Sequence, residues 1–286
     1  MHDNERVLGD RTVAPIGLGA MPLSVEGRPD RARALKTIHC ALEAGVRLID
    51  TADAYSTGGP DVGHNERLIA EALRSWTGRR EEVVVATKGG HTRPDGSWRL
   101  DGRPEYLRAA CEASLRALGV DVIDLYQFHR PDPAVPFAES VGALADLQRA
   151  GKVRLVGVSN VSVEQIDEAR ALVPLASVQN QFSPDFRSSG VELAHCQRLG
   201  IAFLAWSPLG GMTGAAGLGD RHGAFHQVAE RHGVSAQQVA LAWCLAHGHG
   251  VIPIPGSSRP ETILDSVAAA RLELGPDDFE QLGMAV

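Results

Sequence analysis

The feature that most constrains the fold is a repeated unit, an apolar strand followed by an amphipathic helix. The first unit combines a glycine-rich apolar strand at residues 16–19 with a helical pattern over residues 30–44. Further apolar strands are predicted at residues 48–50, 83–87, 123–129, 155–159, 177–180, 202–207 and 251–253. One-sided helical patterns lie between them, including residues 106–118, 162–171 and 235–247.

Eight such units within about 250 residues favour an α/β fold of one kind, the (β/α)8 barrel. An open doubly wound sheet would normally carry G-x-G-x-x-G after its first strand, and this chain does not. A short β-hairpin is predicted around Gly9-Asp10, ahead of the barrel, and a short helix near residues 276–282. Because no linker or change of composition interrupts the pattern, we expect a single domain over residues 1–286.

Composition narrows the range of partners. The chain is 44% hydrophobic and 22% charged, which is ordinary for a soluble globular protein. A net charge of −7 argues against a nucleic-acid or anionic-membrane surface. Residues 1–6 lack a signal-peptide pattern, and no apolar run approaches the roughly 20 residues of a membrane span. We therefore expect a cytoplasmic protein that binds neither nucleic acid nor membrane.

The four cysteines are far apart in the sequence and form no C-x-x-C pair. Each lies in a segment with a helical pattern, which favours buried, reduced thiols. The sequence shows no clustered ligands of the kind a metal site needs, so no metal is expected.

Polar residues stand where three neighbouring strands end. Asp50 ends the second strand and Tyr55 follows on the loop, Lys88 follows the third strand, and His129 ends the fourth. Each has an ordinary structural explanation when it is taken alone. Together they would project into one mouth, because functional residues of such barrels lie at the carboxyl ends of the strands.

These groups suit the protonation of a carbonyl. Asp50 and Lys88 would neutralise each other, and the ammonium would lower the pKa of Tyr55 from an ordinary value of about 10. Tyr55 could then donate a proton near neutral pH, and His129 could hydrogen-bond to the same oxygen. Because nothing in this set attacks the carbon, a hydride-donating cofactor is needed.

The remaining strand ends suit such a cofactor. Asn160 and Gln179 offer amides for a carboxamide, and Trp206 offers a face for ring stacking. Glycine-rich residues 207–223 would let backbone N–H groups approach a diphosphate; the glycines are Gly210, Gly211, Gly214, Gly217, Gly219 and Gly223. Residues 256–259 precede a helix predicted to begin near Pro260, and helix N-termini attract phosphates.

Over nearly its whole length the chain resembles the aldo-keto reductase family. The motifs that carry the resemblance, in family order, are Asp50-Thr51-Ala52-x-x-Tyr55, Asn65-Glu66, Thr87-Lys88, His129-Arg130, Gly157-Val158-Ser159-Asn160, Gln179, Ser207-Pro208-Leu209 and Ile254-Pro255-Gly256. The resemblance implies a (β/α)8 barrel, typically a monomer, that reduces aldehydes and ketones with NADPH or, less often, NADH.

Specific roles follow from the resemblance. Tyr55 matches the general acid, Lys88 the partner that lowers its pKa, Asp50 the ion pair of that lysine, and His129 the residue that orients the carbonyl. Ser159, Asn160 and Gln179 match contacts to the nicotinamide carboxamide, and Trp206 matches the stacking ring. The other expected cofactor contacts are Ser207, Pro208, Leu209, Gly211, Gly256, Ser257, Ser258, Arg259 and Asp265.

The chain departs from the family pattern at two places. Many members have lysine and arginine where Gly256 and Thr262 stand here, which leaves Arg259 as the cation for an adenosine 2′-phosphate; we still expect NADPH over NADH. The chain ends at Val286, shortly after the last predicted helix, so the substrate pocket should be open. Substrate contacts are then expected from residues 21–25, 56–64 and 89–103, with Arg93, Trp98 and Arg130 as candidates.

The sequence leaves the substrate open. Met21-Pro22-Leu23-Ser24 and Gly63-His64-Asn65-Glu66 resemble a bacterial group that contains pyridoxal reductases, so pyridoxal or a similar polar aromatic aldehyde is one candidate. Sugar or natural-product carbonyls are another. Two different functions also fit parts of the pattern: a lysine Schiff-base aldolase acting through Lys88, and a non-enzymatic NADPH-binding regulatory subunit.

Overall fold

A computed structural model describes residues 5–284. Residues 1–4, which belong to the segment without a signal-peptide pattern, and residues 285–286 lie outside the described range. The chain begins with an antiparallel hairpin of β1 (Arg6–Leu8) and β2 (Arg11–Val13), as the sequence predicts. Leu8 and Val13 of this hairpin pack into the same apolar cluster as side chains from inside the barrel, so the hairpin covers one end of it.

Eight parallel strands follow and form a (β/α)8 barrel, which confirms the predicted fold. The barrel strands are β3 (Leu18–Gly19), β4 (Leu48–Asp50), β5 (Val84–Gly89), β8 (Ile123–Phe128), β9 (Val153–Ser159), β10 (Leu175–Gln181), β11 (Ala202–Trp206) and β12 (Val251–Ile254). Between β5 and β8 lies a second, unpredicted hairpin of β6 (His91–Thr92) and β7 (Arg99–Leu100). Each predicted barrel strand is present, with bounds that differ by a few residues.

Two glycine amides close the barrel between its first and last strands. Gly17 N donates to Pro253 O at 3.0 Å, and Gly19 N donates to Pro255 O at 2.9 Å. A Cβ atom on Gly19 would lie 2.7 Å from the carbonyl oxygen of Ile254. Only a residue without a side chain allows this approach, so Gly19 is required where the two edges meet.

Helices surround the barrel. They are α1 (Arg31–Glu43), α2 (His64–Ser75), α3 (Pro104–Leu118), α4 (Phe137–Arg149), α5 (Val163–Leu172), α6 (Gly190–Leu199), α7 (Gly211–Gly214), α8 (Leu218–Arg221), α9 (Gly223–His232), α10 (Ala236–Ala246), α11 (Pro260–Ala268) and α12 (Pro276–Gln281). Three of their N-termini are capped by side chains: Asp30 accepts from Arg33 N, Ser162 from Gln165 N and Ser235 from Gln238 N. The short helix α12 agrees with the predicted final helix.

The apolar residues form two layers. Side chains that point into the barrel, such as Leu48, Leu125 and Leu204, make a small inner core. A larger core lies between the strands and the surrounding helices, with Ile38, Leu144 and Trp243 fully or almost fully buried in it. This division follows from side chains alternating across each strand.

Several details differ from the sequence prediction. Helix α3 begins at Pro104, two residues before the predicted start, because proline is favoured in the first turn. The glycine-rich segment 207–223 contains the short helices α7 and α8, which the sequence analysis did not predict. All four cysteines are free thiols in the described range, but Cys40 is only partly buried. Within residues 5–284, no helix is long and apolar enough to cross a membrane.

Candidate active site

A cleft of about 610 Å³ lies at the carboxyl ends of the barrel strands. With the exception of Lys88, every residue to which the resemblance assigns a catalytic or cofactor-binding role lines it. The lining residues from the prediction are Asp50, Tyr55, His129, Ser159, Asn160, Gln179, Trp206, Ser207, Pro208, Leu209, Gly211, Gly256, Ser257, Ser258, Arg259 and Asp265. Lys88 lies just behind the wall, fully buried.

The ammonium group of Lys88 donates three hydrogen bonds. Its acceptors are Asp50 Oδ1 at 2.6 Å, the backbone oxygen of Thr51 at 2.8 Å and the phenolic oxygen of Tyr55 at 3.1 Å. An ammonium group has three protons, so none is left over. Because Tyr55 accepts the bond from Lys88, its own O–H proton stays available to donate into the cleft.

The second carboxylate oxygen of Asp50 is also held. Asp50 Oδ2 accepts from Gln179 Nε2 at 2.7 Å and from Gln127 Nε2 at 3.4 Å. Gln179 is predicted to contact a carboxamide, but here its amide nitrogen is committed to Asp50. The physical reason is that a buried carboxylate must be hydrogen-bonded, and Gln179 stands on a nearby strand, β10.

The pKa values within this cluster differ in part from expectation. Burial alone would lower the pKa of Lys88, but Asp50 and Tyr55 raise it above its ordinary value, so the ammonium stays charged. Burial raises the pKa of Tyr55, and this effect outweighs the opposing effect of Lys88. The expectation of a lowered Tyr55 pKa is therefore wrong, because desolvation of the buried phenolate outweighs its attraction to the ammonium.

His129 is a neutral imidazole beside Tyr55. Burial, with Lys88, His91 and Arg130 nearby, brings the pKa of His129 well below its ordinary value. The ring centroids of Tyr55 and His129 are 5.7 Å apart. Nδ1 of His129 is buried and has no hydrogen-bond partner among the described residues. A buried lone pair costs less than a buried, unpaired N–H, so the proton belongs on Nε2.

Strained backbone marks two residues on the other side of the cleft. Asn160 has φ 60° and Ser207 has φ 49°, and these are the non-glycine residues with positive φ in the described range. Non-glycine residues in this region cost free energy and are frequent at ligand sites. Asn160 Nδ2 donates to the backbone oxygen of His129 and to Ser159 Oγ, both at 3.0 Å, so the two halves of the cleft are joined.

Trp206 and Gly211 lie farther along the same wall. The indole N–H of Trp206 is buried and has no partner among the described residues. Of the six glycines expected around a diphosphate, Gly211 alone is a lining residue of the cleft. The other five are not lining residues of the cleft; they lie in the segment that forms α7 and α8, where Arg221 donates to the backbone oxygen of Gly214.

The turn from β12 into α11 forms the far end of the cleft. Arg259 is exposed, precedes the first residue of α11, and makes no side-chain ion pair with a described residue. Ser257 is buried, and its hydroxyl bonds to Thr262 and to the oxygen of Arg259. Asp265 accepts from Ser235 Oγ at 2.8 Å and from Gln238 Nε2 at 2.6 Å. A helix N-terminus with an unpaired arginine fits a phosphate group.

The structure adds cleft residues and removes one candidate. Met21, Trp98 and Arg130 line the cleft as expected, and His91, Met212 and Gln237 were not singled out by the sequence. His91 stands three residues after Lys88, and that position is the signal that could have found it.

Arg93 does not line the cleft. Its guanidinium is buried, pairs with Glu26 at 2.6 Å and bonds to the backbone oxygens of Ser56 and Gly96. It also lies 4.6 Å from the ring centroid of Trp98. Arg93 therefore holds three loops together and supports Trp98 from behind.

Two buried carboxyl groups lie behind the site without lining it. Burial, with the nearby Glu66, raises the pKa of Asp53 well above its ordinary value, and burial raises that of Glu66. The phenolic oxygen of Tyr106 lies 3.4 Å from Asp53 Oδ2, whereas Oδ1 has no partner among the described residues. Glu66 accepts from Thr87 Oγ1 at 2.6 Å. The carboxyl of Asp53 is therefore held in its neutral form more readily than an exposed one.

The barrel and its cleft define a protein with an acid–base cluster at the carboxyl ends of its strands. The chain belongs to the aldo/keto reductase family, whose members are oxidoreductases: the family model matches residues 15–285.

Individual relatives agree. A 6-dehydroglucose reductase from Novosphingobium aromaticivorans is 38% identical over 277 residues, 93% of this chain and 90% of that protein. An uncharacterised oxidoreductase from Schizosaccharomyces pombe is 36% identical over 281 residues, 96% of this chain and 87% of that protein.

Solved structures show the same architecture. The glycerol dehydrogenase from Gluconobacter oxydans has a TM-score of 0.83 at 27% identity, covering 99% of this chain and 95% of its own. An aldo/keto reductase from Klebsiella pneumoniae, solved with NADP and acetate, has a TM-score of 0.79 at 27% identity, covering 97% of this chain and 93% of its own.

Proposed function

We propose that this protein reduces an aldehyde or ketone to the alcohol with NADPH, and that Tyr55 is the proton donor. The observation that carries the proposal is the bonding of Lys88. All three of its protons are used, and one of them goes to the phenolic oxygen of Tyr55. The phenol therefore keeps its own proton for a substrate in the cleft.

Each residue of the cluster has a separate role in the proposed reduction. A bound nicotinamide would supply the hydride. Tyr55 gives its proton to the carbonyl oxygen, and the charge left on the phenolate is stabilised by Lys88 at 3.1 Å. Nε2–H of His129 donates to the same carbonyl oxygen and orients it. Asp50 keeps Lys88 in place and compensates its charge at 2.6 Å.

The preference for NADPH is supported by Arg259. This guanidinium stands exposed at the N-terminus of α11, where both its charge and the helix dipole favour a 2′-phosphate. A family member from Klebsiella pneumoniae was solved with NADP. Trp206, with Ser159 and Asn160, would hold the nicotinamide, and the turn 256–259 would hold the adenosine phosphate.

Two substrate classes are supported by different observations. The rings of Trp98 and Tyr55, with centroids 6.4 Å apart at the mouth of the cleft, fit a polar aromatic aldehyde such as pyridoxal. The relation to a 6-dehydroglucose reductase at 38% identity favours a sugar carbonyl instead. A natural-product carbonyl would use the same donors.

The other two candidate functions, a Schiff-base aldolase and a non-enzymatic regulatory subunit, have less support. A Schiff-base aldolase needs an amine with a free lone pair. Here Asp50 and Tyr55 outweigh the effect of burial on the pKa of Lys88, so the amine stays protonated, and it is fully hydrogen-bonded. A regulatory subunit that only binds NADPH would not need a phenol, an ammonium and an imidazole arranged around one carbonyl position.

The test is reduction of a carbonyl panel by purified protein with NADPH, followed at the absorbance of the cofactor. The panel contains pyridoxal, a sugar aldehyde and simple aldehydes. Tyr55→Phe should bind NADPH as the wild type does but lose the single-turnover oxidation of the cofactor by at least about 100-fold. A Tyr55→Phe protein with full activity would remove Tyr55 from this role, and a wild type that binds NADPH without oxidising it would favour the regulatory subunit.

A further inference from the structure

The cleft contains a second histidine, His91, that has no part in the reduction described above. His91 lies on the hairpin of β6 and β7, opposite Leu100 in the strand register. Its backbone oxygen accepts from the hydroxyl of Tyr106 at 3.3 Å, and its ring nitrogen Nδ1 lies 3.2 Å from the oxygen of Arg99. The ring is thus held from both its side chain and its backbone.

These bonds determine which nitrogen of His91 carries the proton. A carbonyl oxygen only accepts, so Nδ1 is the N–H donor to Arg99 O. Burial lowers the pKa of His91, and the nearby Arg130 and Lys88 act in the same direction, so the ring is neutral at pH 7. Nε2 then carries a lone pair and can act as a hydrogen-bond acceptor, and no described residue donates a hydrogen bond to it.

The position of His91 places this acceptor beside the carbonyl site. The ring centroids of His91 and His129 are 4.4 Å apart at 90°, and those of His91 and Trp98 are 5.4 Å apart. Tyr55 and His129 are both donors toward the carbonyl oxygen. Nε2 of His91 has the opposite polarity, so a polar substrate atom that bonds to it must be a hydrogen-bond donor.

We propose that His91 is a specificity residue that accepts a hydrogen bond from a substrate hydroxyl next to the carbonyl, so that the preferred substrates are α-hydroxy carbonyl compounds. The proposal rests on the proposed reductase function. It differs from that function because it concerns which carbonyl compounds are chosen, and not how the carbonyl is reduced. An acceptor that one substrate can pair with and another cannot favours the substrate that forms the hydrogen bond.

The test compares 2-hydroxypropanal with propanal, which differ by one hydroxyl group. The wild type should have the higher kcat/KM for 2-hydroxypropanal. His91→Phe keeps a ring beside His129 but removes the acceptor, and it should lower the ratio of the two kcat/KM values by about tenfold or more. His91→Gln has a carbonyl oxygen and should restore part of that ratio. Trp98→Phe is the matched control, because it changes a neighbouring ring without removing an acceptor and should alter both substrates by the same factor.

The outcomes separate the two proposals. If His91→Phe lowers kcat/KM equally for both aldehydes, His91 only supports His129 and the inference is wrong. The same conclusion follows if the wild type does not prefer the hydroxylated aldehyde. A wild type that reduces no carbonyl of the panel with NADPH would instead overturn the reductase function itself.

Discussion

Lys88 Nζ lies 2.6 Å from Asp50 Oδ1, and both groups are almost completely removed from solvent. The two residues are 38 positions apart in the sequence but stand on the neighbouring strands β4 and β5. The same ammonium reaches the phenol of Tyr55. One buried ion pair thus positions the phenol that we propose as the proton donor, and removal of the pair should be visible in both stability and activity.

Lys88→Met should destabilise the fold by about 3–5 kcal/mol, because it leaves the carboxylate of Asp50 buried without its cation. Urea unfolding measures this loss. The double variant Asp50→Asn/Lys88→Met should recover a large part of the stability while remaining inactive. If Lys88→Met alone were as stable as the wild type, the pair would not be buried and charged as described.

The pH dependence of reduction should follow the protonated form of Tyr55. Burial raises the pKa of this phenol above its ordinary value of about 10, so the donor stays protonated through neutral pH. The rate kcat/KM for reduction should therefore be flat between about pH 6 and 9 and fall only above about pH 10. Oxidation of the alcohol needs the phenolate and should rise over the same range. A decline of reduction near pH 7 would contradict this assignment.

Arg259→Ala should weaken NADPH binding by about tenfold or more and leave NADH binding within about twofold, because in the proposed complex the guanidinium would pair with a phosphate that NADH lacks. Fluorescence titration with both cofactors measures the two Kd values. The matched control is Arg271→Ala, which removes an exposed arginine that does not line the cleft. Equal losses for both cofactors would place Arg259 away from the 2′-phosphate.

Gly19→Ala should destabilise the barrel by about 1–3 kcal/mol, because the added Cβ would lie 2.7 Å from the oxygen of Ile254. Thermal unfolding and urea titration of the variant and the wild type measure this loss of stability. Gly142→Ala is the opposite case: it lies within α4, a Cβ there meets no described atom within 4 Å, and alanine should add about 0.5–1 kcal/mol. A tolerated Gly19→Ala would mean that the barrel does not close tightly at this seam.

Asp53→Asn should flatten the pH dependence of stability. The pKa of Asp53 is raised in the folded protein. Above about pH 4 the unfolded chain therefore loses a proton that the native protein keeps. Because the native state then binds more protons than the unfolded state, the free energy of unfolding falls as pH rises. The free energy of unfolding of the variant should exceed that of the wild type by a margin that grows with pH, by up to about 1.4 kcal/mol per unit. Asp121→Asn, on an exposed carboxylate, should retain the wild-type slope. Parallel curves for Asp53→Asn and wild type would argue against the raised pKa.

Local patterns in the chain account for what the sequence predicted. An apolar strand is recognisable from its own residues, and the residue that ends it is known as soon as the strand is found. The barrel, the hairpin at its end and the gathering of Asp50, Tyr55, Lys88 and His129 at one rim follow from eight such patterns and the geometry of parallel strands.

The tertiary structure alone decided matters that depend on distant residues meeting. Gly19 is required at the barrel seam only because the backbone of Ile254 packs against it. Gln179 donates a hydrogen bond to Asp50, which lies 129 positions away in the sequence. Burial sets the direction of the Tyr55 pKa, and burial is a property of the whole fold. The hydrogen bond from His91 Nδ1 to the backbone oxygen of Arg99 leaves Nε2 as the acceptor nitrogen of that ring. Periodicity along a chain encodes which residues turn inward, whereas packing decides which of them touch and how much water remains around them.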